Sequence, residues 1–306
     1  MKHLHQIPLI LVLGVFMMSP GCKKRQGKSE IPSFSFAFMT DIHIQPEKKA
    51  AEGFHKAIDK AHALGVDFVI TGGDLIMDAL GQTHERADSL YQLYMELAHR
   101  IKVPVYNTMG NHEIYGWYVR DEVDTLHPEF GKKIYENRIA ERYYTFTEHG
   151  WKFYILDSVH EIPGGGGYYG YIDTVQYKWL KKDLETVEKT TPIVISTHIP
   201  FISSAAMIGA GSMEAMTQGV VIGNSKAVLD LFEDYNLKLV LQGHLHYLED
   251  IYVYGTHYIT GGAVSANWWN GPRYKMEEGF VHLTIQGEEI EWEYIDYGWE
   301  AASNAE

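Results

Sequence analysis

Residues 33–43 read SFSFAFMTDIH, and residues 67–74 read DFVITGGD. Each is a short apolar run that reads as a β-strand and gives way to polar residues at its end. Asp41-Ile42-His43 follows the first run and Gly72-Gly73-Asp74 follows the second. Between them, residues 53–64 place Phe54, Ala57, Ile58, Ala61 and Leu64 on one face of a helix. A strand, a helix and a strand in that order argue for an α/β protein with parallel strands.

The same alternation continues along the chain. Strands are expected at residues 103–107, 142–146, 152–157, 192–197 and 238–241, the second and third forming a hairpin. A helix at residues 84–98 turns Ala87, Leu90, Tyr91, Tyr94 and Leu97 inward. Asp173 with Gln176 forms a capping box that opens a helix to about Glu188, and Asn224 caps another to about Tyr235. Beyond that the pattern is β only, at residues 250–254, 256–260, 279–285 and 290–294. The expected fold is α/β: a four-layer α/β/β/α sandwich of two mixed β-sheets flanked by helices, over residues 34–300.

Five polar clusters recur at one place, directly after an apolar strand. They are Asp41-Ile42-His43, Gly72-Gly73-Asp74, Gly110-Asn111-His112-Glu113, His198, and Gly243-His244-Leu245-His246. Ligands of open α/β sheets bind at the carboxyl ends of strands, so five such ends can bring these side chains to one point. Carboxylate, Asn carbonyl and imidazole donors suit Mn, Fe, Zn, Co or Ni rather than a thiolate-seeking metal. In an extended segment residues two apart point the same way, so Asp41 with His43, and His244 with His246, are expected to share a direction.

The ordered pattern DxH…GGD…GNHE…H…GHLH, within residues 34–262, resembles the calcineurin-like metallophosphoesterases. The resemblance implies two divalent or trivalent metal ions. Asp41, His43 and His246 correspond to ligands of one ion, and Asn111, His198 and His244 to ligands of the other. Asp74 corresponds to the bridging carboxylate and His112 to the catalytic histidine that stabilises the transition state or protonates the leaving oxygen. Two cations about 3.5–4 Å apart would turn a bridging water into hydroxide, which attacks a phosphodiester or phosphomonoester in line. In the purple acid phosphatases the first motif ends in Gly, and a Tyr ligand follows the second aspartate by three residues. Here His43 and Met77 stand at those positions, which argues against the purple subgroup.

Composition sets outer bounds. The 306 residues carry a formal net charge of −14, which argues against duplex nucleic acid and leaves a small phosphorylated substrate, a nucleotide included. Residues 1–22, MKHLHQIPLILVLGVFMMSPGC, join a basic start, a short apolar run and the chain's one cysteine. They have the organisation of a secretory leader and resemble a bacterial lipoprotein signal with Cys22 as the lipid-modified residue. Residues 1–21 would be removed, and residues 22–33 would tether an exported domain to a membrane of the cell envelope. Other stretches carry weaker expectations. Trp268 and Trp269, in a turn-rich loop, would either stack on a substrate ring or plug the core. Tyr115 and Trp117 could also meet substrate. His160 and His257 could approach the site, Asp157-Ser158 could neighbour the site but reads rather as a turn, residues 164–167 as a rim loop, and residues 205–216 as a flap near His198. The competing functions are an anchored protein that binds phosphorylated ligands or metals without turnover, and a phosphatase of protein or sugar phosphates.

Overall fold

The computed structural model describes residues 33–211 and 216–301. The leader-like segment, Cys22 and nearly all of the tether lie outside the described residues. No helix among the described residues is long and apolar enough to cross a membrane.

The chain runs β1 (Ser33–Met39), α1 (Ala50–Leu64), β2 (Phe68–Thr71), α2 (His84–Ala98), β3 (Val105–Asn107), α3 (Lys133–Arg138), β4 (Tyr144–Glu148) and β5 (Trp151–Ile155). It continues through β6 (Val159–Glu161), β7 (Tyr168–Gly170), α4 (Thr174–Leu184), β8 (Pro192–Ser196), α5 (Ala205–Gly209) and α6 (Ser225–Leu229). It closes with β9 (Asn236–Gln242), β10 (Glu249–Val253), β11 (Thr256–Thr260), β12 (Gly279–Gln286) and β13 (Glu289–Asp296). One mixed sheet has the order β13-β12-β1-β2-β3 and the other β10-β11-β9-β8-β5-β4; β6 and β7 form a separate hairpin. β1, β2 and β3 are parallel, as are β5, β8, β9 and β11.

The period of two explains the layering. Phe34, Phe36 and Phe38 of β1 point one way and join Trp151, Phe153, Val194, Leu239 and Leu241 of the other sheet in one apolar core. There Phe36 stacks on Phe68 at 4.8 Å and meets Phe153 edge-on at 6.0 Å. Each buried Phe stabilises the pair of sheets by about 1.5–3 kcal/mol. Ala37 and Met39, of the opposite parity, belong with Phe54, Ala57 and Ile58 of α1 and Leu90 and Tyr94 of α2. Ile193, Ile195 and Val240 play the same part with Leu180 and Leu184 of α4. The expected sandwich of two mixed sheets between helices is therefore the observed architecture.

The two sheets are tied along the edge where their parallel strands end. Thr40 pairs with Ala263, just beyond β11, and Val264 N donates to Thr40 O at 2.9 Å. The hydroxyls of Thr108 and Ser196 meet at 2.7 Å.

Two helix starts differ from expectation. Asp173 caps α4 by accepting from the Val175 and Gln176 N–H groups, both at 2.8 Å. Gln176 does not complete a capping box, because its amide is spent on the Asp157 backbone at 2.9 and 2.8 Å. Asn224 likewise bonds the Ile172 backbone instead of capping α6, which ends at Leu229 and continues only as a 3-10 turn, Asp230–Phe232. In both cases a tertiary partner outcompetes the local one.

α3, not foreseen from the sequence, carries Arg138. Its guanidinium holds Glu129 by two bonds of 2.6 Å, reaches Asp88 of α2 at 2.6 Å, and lies over the Tyr91 ring at 5.5 Å. Arg138 holds the Glu129 carboxyl down at about 2, against the smaller opposing effect of burial. A depressed carboxylate adds stability that is complete above its ordinary pKa and is lost as pH falls through the folded-state value. Glu129→Gln should therefore cost about 1–2 kcal/mol in urea unfolding at pH 7, and the gap to wild type should close between about pH 4.5 and pH 2. A gap that stays constant to pH 2 would show that this ion pair is not what the variant removes.

Candidate metal centre

Glu113, the last residue of the GNHE motif, organises the site from below. Its carboxylate is fully buried and accepts from the backbone N–H groups of Asp74 (3.0 Å), Leu75 (2.5 Å), Ile76 (3.3 Å) and Gly110 (2.6 Å). Burial and the neighbouring Asp74 carboxylate push Glu113 up to about 7, while the Gly110 N–H favours the ionised form. Tyr91 of α2 donates to the Glu113 carbonyl at 2.6 Å, so the helix layer holds the same loop. Close approach explains two of the glycines. A Cβ on Gly110 would lie 2.2 Å from Asp74 Oδ1, and one on Gly243 would lie 2.0 Å from Thr40 Oγ1.

The backbone that presents the side chains is not extended. Asp41, His43, Asp74, His244 and His246 have φ of 54°, 48°, 53°, 73° and 55°. This left-handed region costs a non-glycine residue about 1 kcal/mol or more and persists only where the surroundings enforce it. Asp41 and His43 do share a direction, but through two left-handed residues rather than through a continuing strand. Bonds between the loops enforce it: Asp41 N to Gly73 O at 3.0 Å and His43 N to Asp74 O at 2.8 Å. The His244 N–H adds contacts of 3.1 and 3.0 Å to the Asp41 carboxylate.

All eight anticipated residues meet. Ligating atoms of Asp41, His43 and His246 lie within 4.8 Å of one another, as do those of Asp74, His198 and His244. His43 Nε2 and His246 Nε2 are 3.0 Å apart, and His246 Nε2 is 3.2 Å from Asp41 Oδ1. His198 Nε2 is 3.1 Å from Asn111 Oδ1, 3.2 Å from His244 Nδ1 and 3.2 Å from Asp74 Oδ2. Asp74 Oδ2 also stands 3.7 Å from His43 Nε2, between the two groups.

The outer nitrogens settle which ring atom faces inward. His198 Nδ1–H donates to Gly72 O at 2.8 Å, His246 Nδ1–H to Ala266 O at 2.5 Å, and His244 Nε2–H to Gly219 O at 2.9 Å. Each ring, when neutral, then presents a lone pair to the centre, the arrangement of a metal-ligating histidine with an outer partner. Converging lone pairs and carboxylates repel unless a cation or proton sits among them, so the donor set fits metal ions.

The electrostatics agree. Burial pushes the Asp41 carboxyl up, but the nearby imidazoles of His246 and His198 outweigh it and hold it low. Asp74 is held low in the same way, chiefly by His198. Burial lowers His198, and Asp74 reverses this to about 9. In the metal-free chain a proton on His198 thus neutralises Asp74 where a cation would, and metal must compete with it. Burial and His198 push His244 down to about 4.

His112 stands beside the ligands, with a ring nitrogen within 4.8 Å of ligating atoms of His43 and Asp74. Its Nδ1–H donates to Met77 O, its Nε2 is 3.9 Å from Asp74 Oδ2, and Asp78 Oδ1 lies 3.5 Å from Nδ1. Met77, at the position of a tyrosine in the purple enzymes, turns a half-buried side chain into the apolar core.

The weaker expectations sort clearly. Trp269 is the core plug: it is buried, packs on Gly53, and its indole N–H reaches Ile42 O at 2.9 Å and His43 O at 3.0 Å. Trp268 stays at the rim, 4.6 Å from the His246 ring. Tyr115 and Trp117 are buried and do not face the site's opening. His257 pairs with Asp250 at 2.9 Å and His160 packs on Tyr169, both away from the ligands. Asp157 is a buried anchor for Lys132 and Arg142, and Ser158 Oγ receives Ile199 N at 2.8 Å, steadying the segment after His198. The glycine run, residues 164–167, joins β6 to β7, and Tyr168 beyond it meets the His244 ring edge-on at 6.1 Å. In the expected flap, Ala205–Gly209 is a short helix, and residues 212–215 lie outside the described residues. In another histidine group, His84, His127 and Glu129, the carboxylate is already paired with Arg138 and His84.

Residues 34–248 match the calcineurin-like phosphoesterase family. The chain belongs to that family. Purple acid phosphatase 15 of Arabidopsis thaliana is 31% identical over 152 residues, which are 48% of this chain and 25% of the plant protein. This calcineurin-like phosphoesterase thus spans about a quarter of that relative's length. A probable cyclic nucleotide phosphodiesterase of Xenorhabdus bovienii is 22% identical over 254 residues, 79% of this chain and 91% of that one. A dimetal phosphatase from Danio rerio has the same fold, with a TM-score of 0.57 at 16% identity over 87% of this chain and 99% of that one.

Sequence reasoning quoted Glu113 without giving it a role, since a motif does not show which backbone N–H groups converge on a carboxylate. Glu113→Gln turns an amide NH₂ toward N–H donors. It should weaken metal affinity about 10–100-fold in isothermal titration. Unchanged affinity would refute the view that Glu113 positions Asp74.

Proposed function

We propose that this protein hydrolyses a small phosphoester with two metal ions, and the observation that carries the reading is Asp74 standing between two clusters of buried, inward-facing donors. Asp41, His43 and His246 would hold one ion, Asn111, His198 and His244 the other, and Asp74 both. The nitrogen and oxygen donors fit Mn, Fe, Zn, Co or Ni. When bound, the ions supply Lewis acidity toward phosphoryl oxygens and activation of a water.

The chain's own residues do the rest. Burial lowers the His112 pKa, but Asp74 and Asp78 outweigh it and raise it, which favours the doubly protonated ring. Because Nδ1–H is committed to Met77 O, a second proton would reside on Nε2, which faces Asp74 and the centre. A proton there is placed for transfer to a departing oxygen. Outer hydrogen bonds to Gly72, Gly219 and Ala266 keep the ligand rings from turning. The Xenorhabdus relative's name supports a diester substrate, and a nucleotide is one such candidate.

The full chain loaded with Mn²⁺ is expected to hydrolyse bis-p-nitrophenyl phosphate faster than p-nitrophenyl phosphate. Asn111→Ala/His198→Ala should abolish turnover, and His112→Ala should lower kcat about 10²–10⁴-fold at unchanged metal content. Preference for the monoester would move the reading to a phosphatase. Two bound metals with no turnover of either ester would favour a binding protein.

The leader-like residues 1–22 support an exported protein held to a membrane by lipid on Cys22. The cell-made protein should partition into the detergent phase of Triton X-114, and Cys22→Ser should shift it to the aqueous phase. Equal partitioning of both would remove the lipid from the proposal.

A further inference from the structure

We propose that the phosphoester this protein takes carries an aliphatic chain, which lies in an apolar cavity beside His244. The inference rests on the phosphoesterase reading and names the class of substrate. The cavity has a volume of 660 Å³, within the range of small-molecule sites. Its wall is built from Ala206, Ile208, Val220, Leu245, Leu248 and Met276. His244 lines it, and the same ring turns Nδ1 to His198 at 3.2 Å. The cavity therefore borders the metal centre at His244, and a phosphoryl group among the ligands would place one ester substituent beside it.

The polar groups of the wall are few and mostly committed. The Tyr247 hydroxyl meets Ser203 Oγ at 2.6 Å and Glu249 at 3.0 Å. Tyr274 OH accepts from Arg273 Nη2 at 3.5 Å. Among the described lining residues the Thr217 hydroxyl is the one neutral polar side chain without such a partner. A nucleobase or sugar in this space would leave its own donors and acceptors unmatched, which is costly away from water, whereas a hydrocarbon chain has none to match.

Charge and rim complete the case. Arg273 lies over the Trp268 ring at 4.5 Å, and that ring is 4.6 Å from His246. The guanidinium that lines the apolar space thus adjoins the metal centre through Trp268, suited to an anionic head with an apolar tail. At the periphery Met207, Ile208 and Tyr274 expose 52%, 77% and 70% of their surface. Large apolar groups left in water beside a cavity mark a binding surface, and a chain entering the cavity would cover them.

The test uses the full chain with Mn²⁺ and a series of alkyl p-nitrophenyl phosphate diesters from methyl to octyl. If the chain is buried, kcat/KM rises about threefold per methylene, and octyl exceeds methyl by at least about 100-fold. Ile208→Asp, at an exposed position that should not disturb folding, and Val220→Asp should both flatten the series to under about tenfold. Turnover of the methyl ester with no dependence on chain length would overturn the cavity inference and leave the phosphoesterase reading standing. If no diester is turned over, p-nitrophenyl phosphate decides that reading, which fails if this monoester is not hydrolysed either, and binding decides the cavity separately. Octylphosphonate must then bind at least about 100-fold tighter than methylphosphonate in calorimetry; equal affinities overturn the inference. A thymidine p-nitrophenyl phosphate preferred over the octyl ester would also overturn it.

Discussion

A single buried carboxylate with four backbone N–H groups on it holds the rest of this site in place. Glu113 clamps the turn that carries Asp74 against the turn that carries Asn111 and His112. Buried charge is tolerated when donors surround it, and here the donors belong to two loops, which the His112 N–H to Asp74 Oδ1 bond of 2.9 Å also joins. Asp74 thereby reaches the midpoint between two donor clusters, and the left-handed backbone at Asp41, His43 and Asp74 is kept from relaxing.

The clamp works because the layers around it are stiff. Phenylalanines of β1 and β2 lock the two sheets face to face, and Thr40, Thr108 and Ser196 tie their edges at the height of the site. From outside, α2 presses on Glu113 through Tyr91, itself held by Arg138. Trp269 reaches in from the loop beyond β11 and takes the free carbonyls of Ile42 and His43. The strain at the ligands is thus balanced by packing several residues away, the usual arrangement for a preorganised site.

One face of the centre is polar and the other is not. His112, Asp78 and Tyr168 stand on the side of the β6–β7 hairpin and the GNHE loop, while the space beside His244 is lined by Ala, Ile, Val, Leu and Met. In the proposed reading, proton handling at His112 and recognition of the organic part of a substrate beside His244 would fall on different sides of the ligands. Arg273 on Trp268 marks the boundary.

The sequence by itself determined the order of the main strands and helices, though not α3, α5 or the β6–β7 hairpin, together with the period-two burial of β1 and the eight residues that converge, because strand ends and ligand types are written locally. It located the Asp173 cap, but not the competitor that takes Gln176, since Asp157 is 19 residues away in sequence. It left Trp268 and Trp269 as equals; only the fold made one a plug and the other a rim residue, because Gly53 of α1 opens a space that a single indole fills. It named Glu113 within a motif yet could not show the four N–H groups that meet there. The left-handed ligands and the apolar cavity were equally beyond it. Both arise where loops from distant strands press together, and long-range packing decides such conformations against local preference.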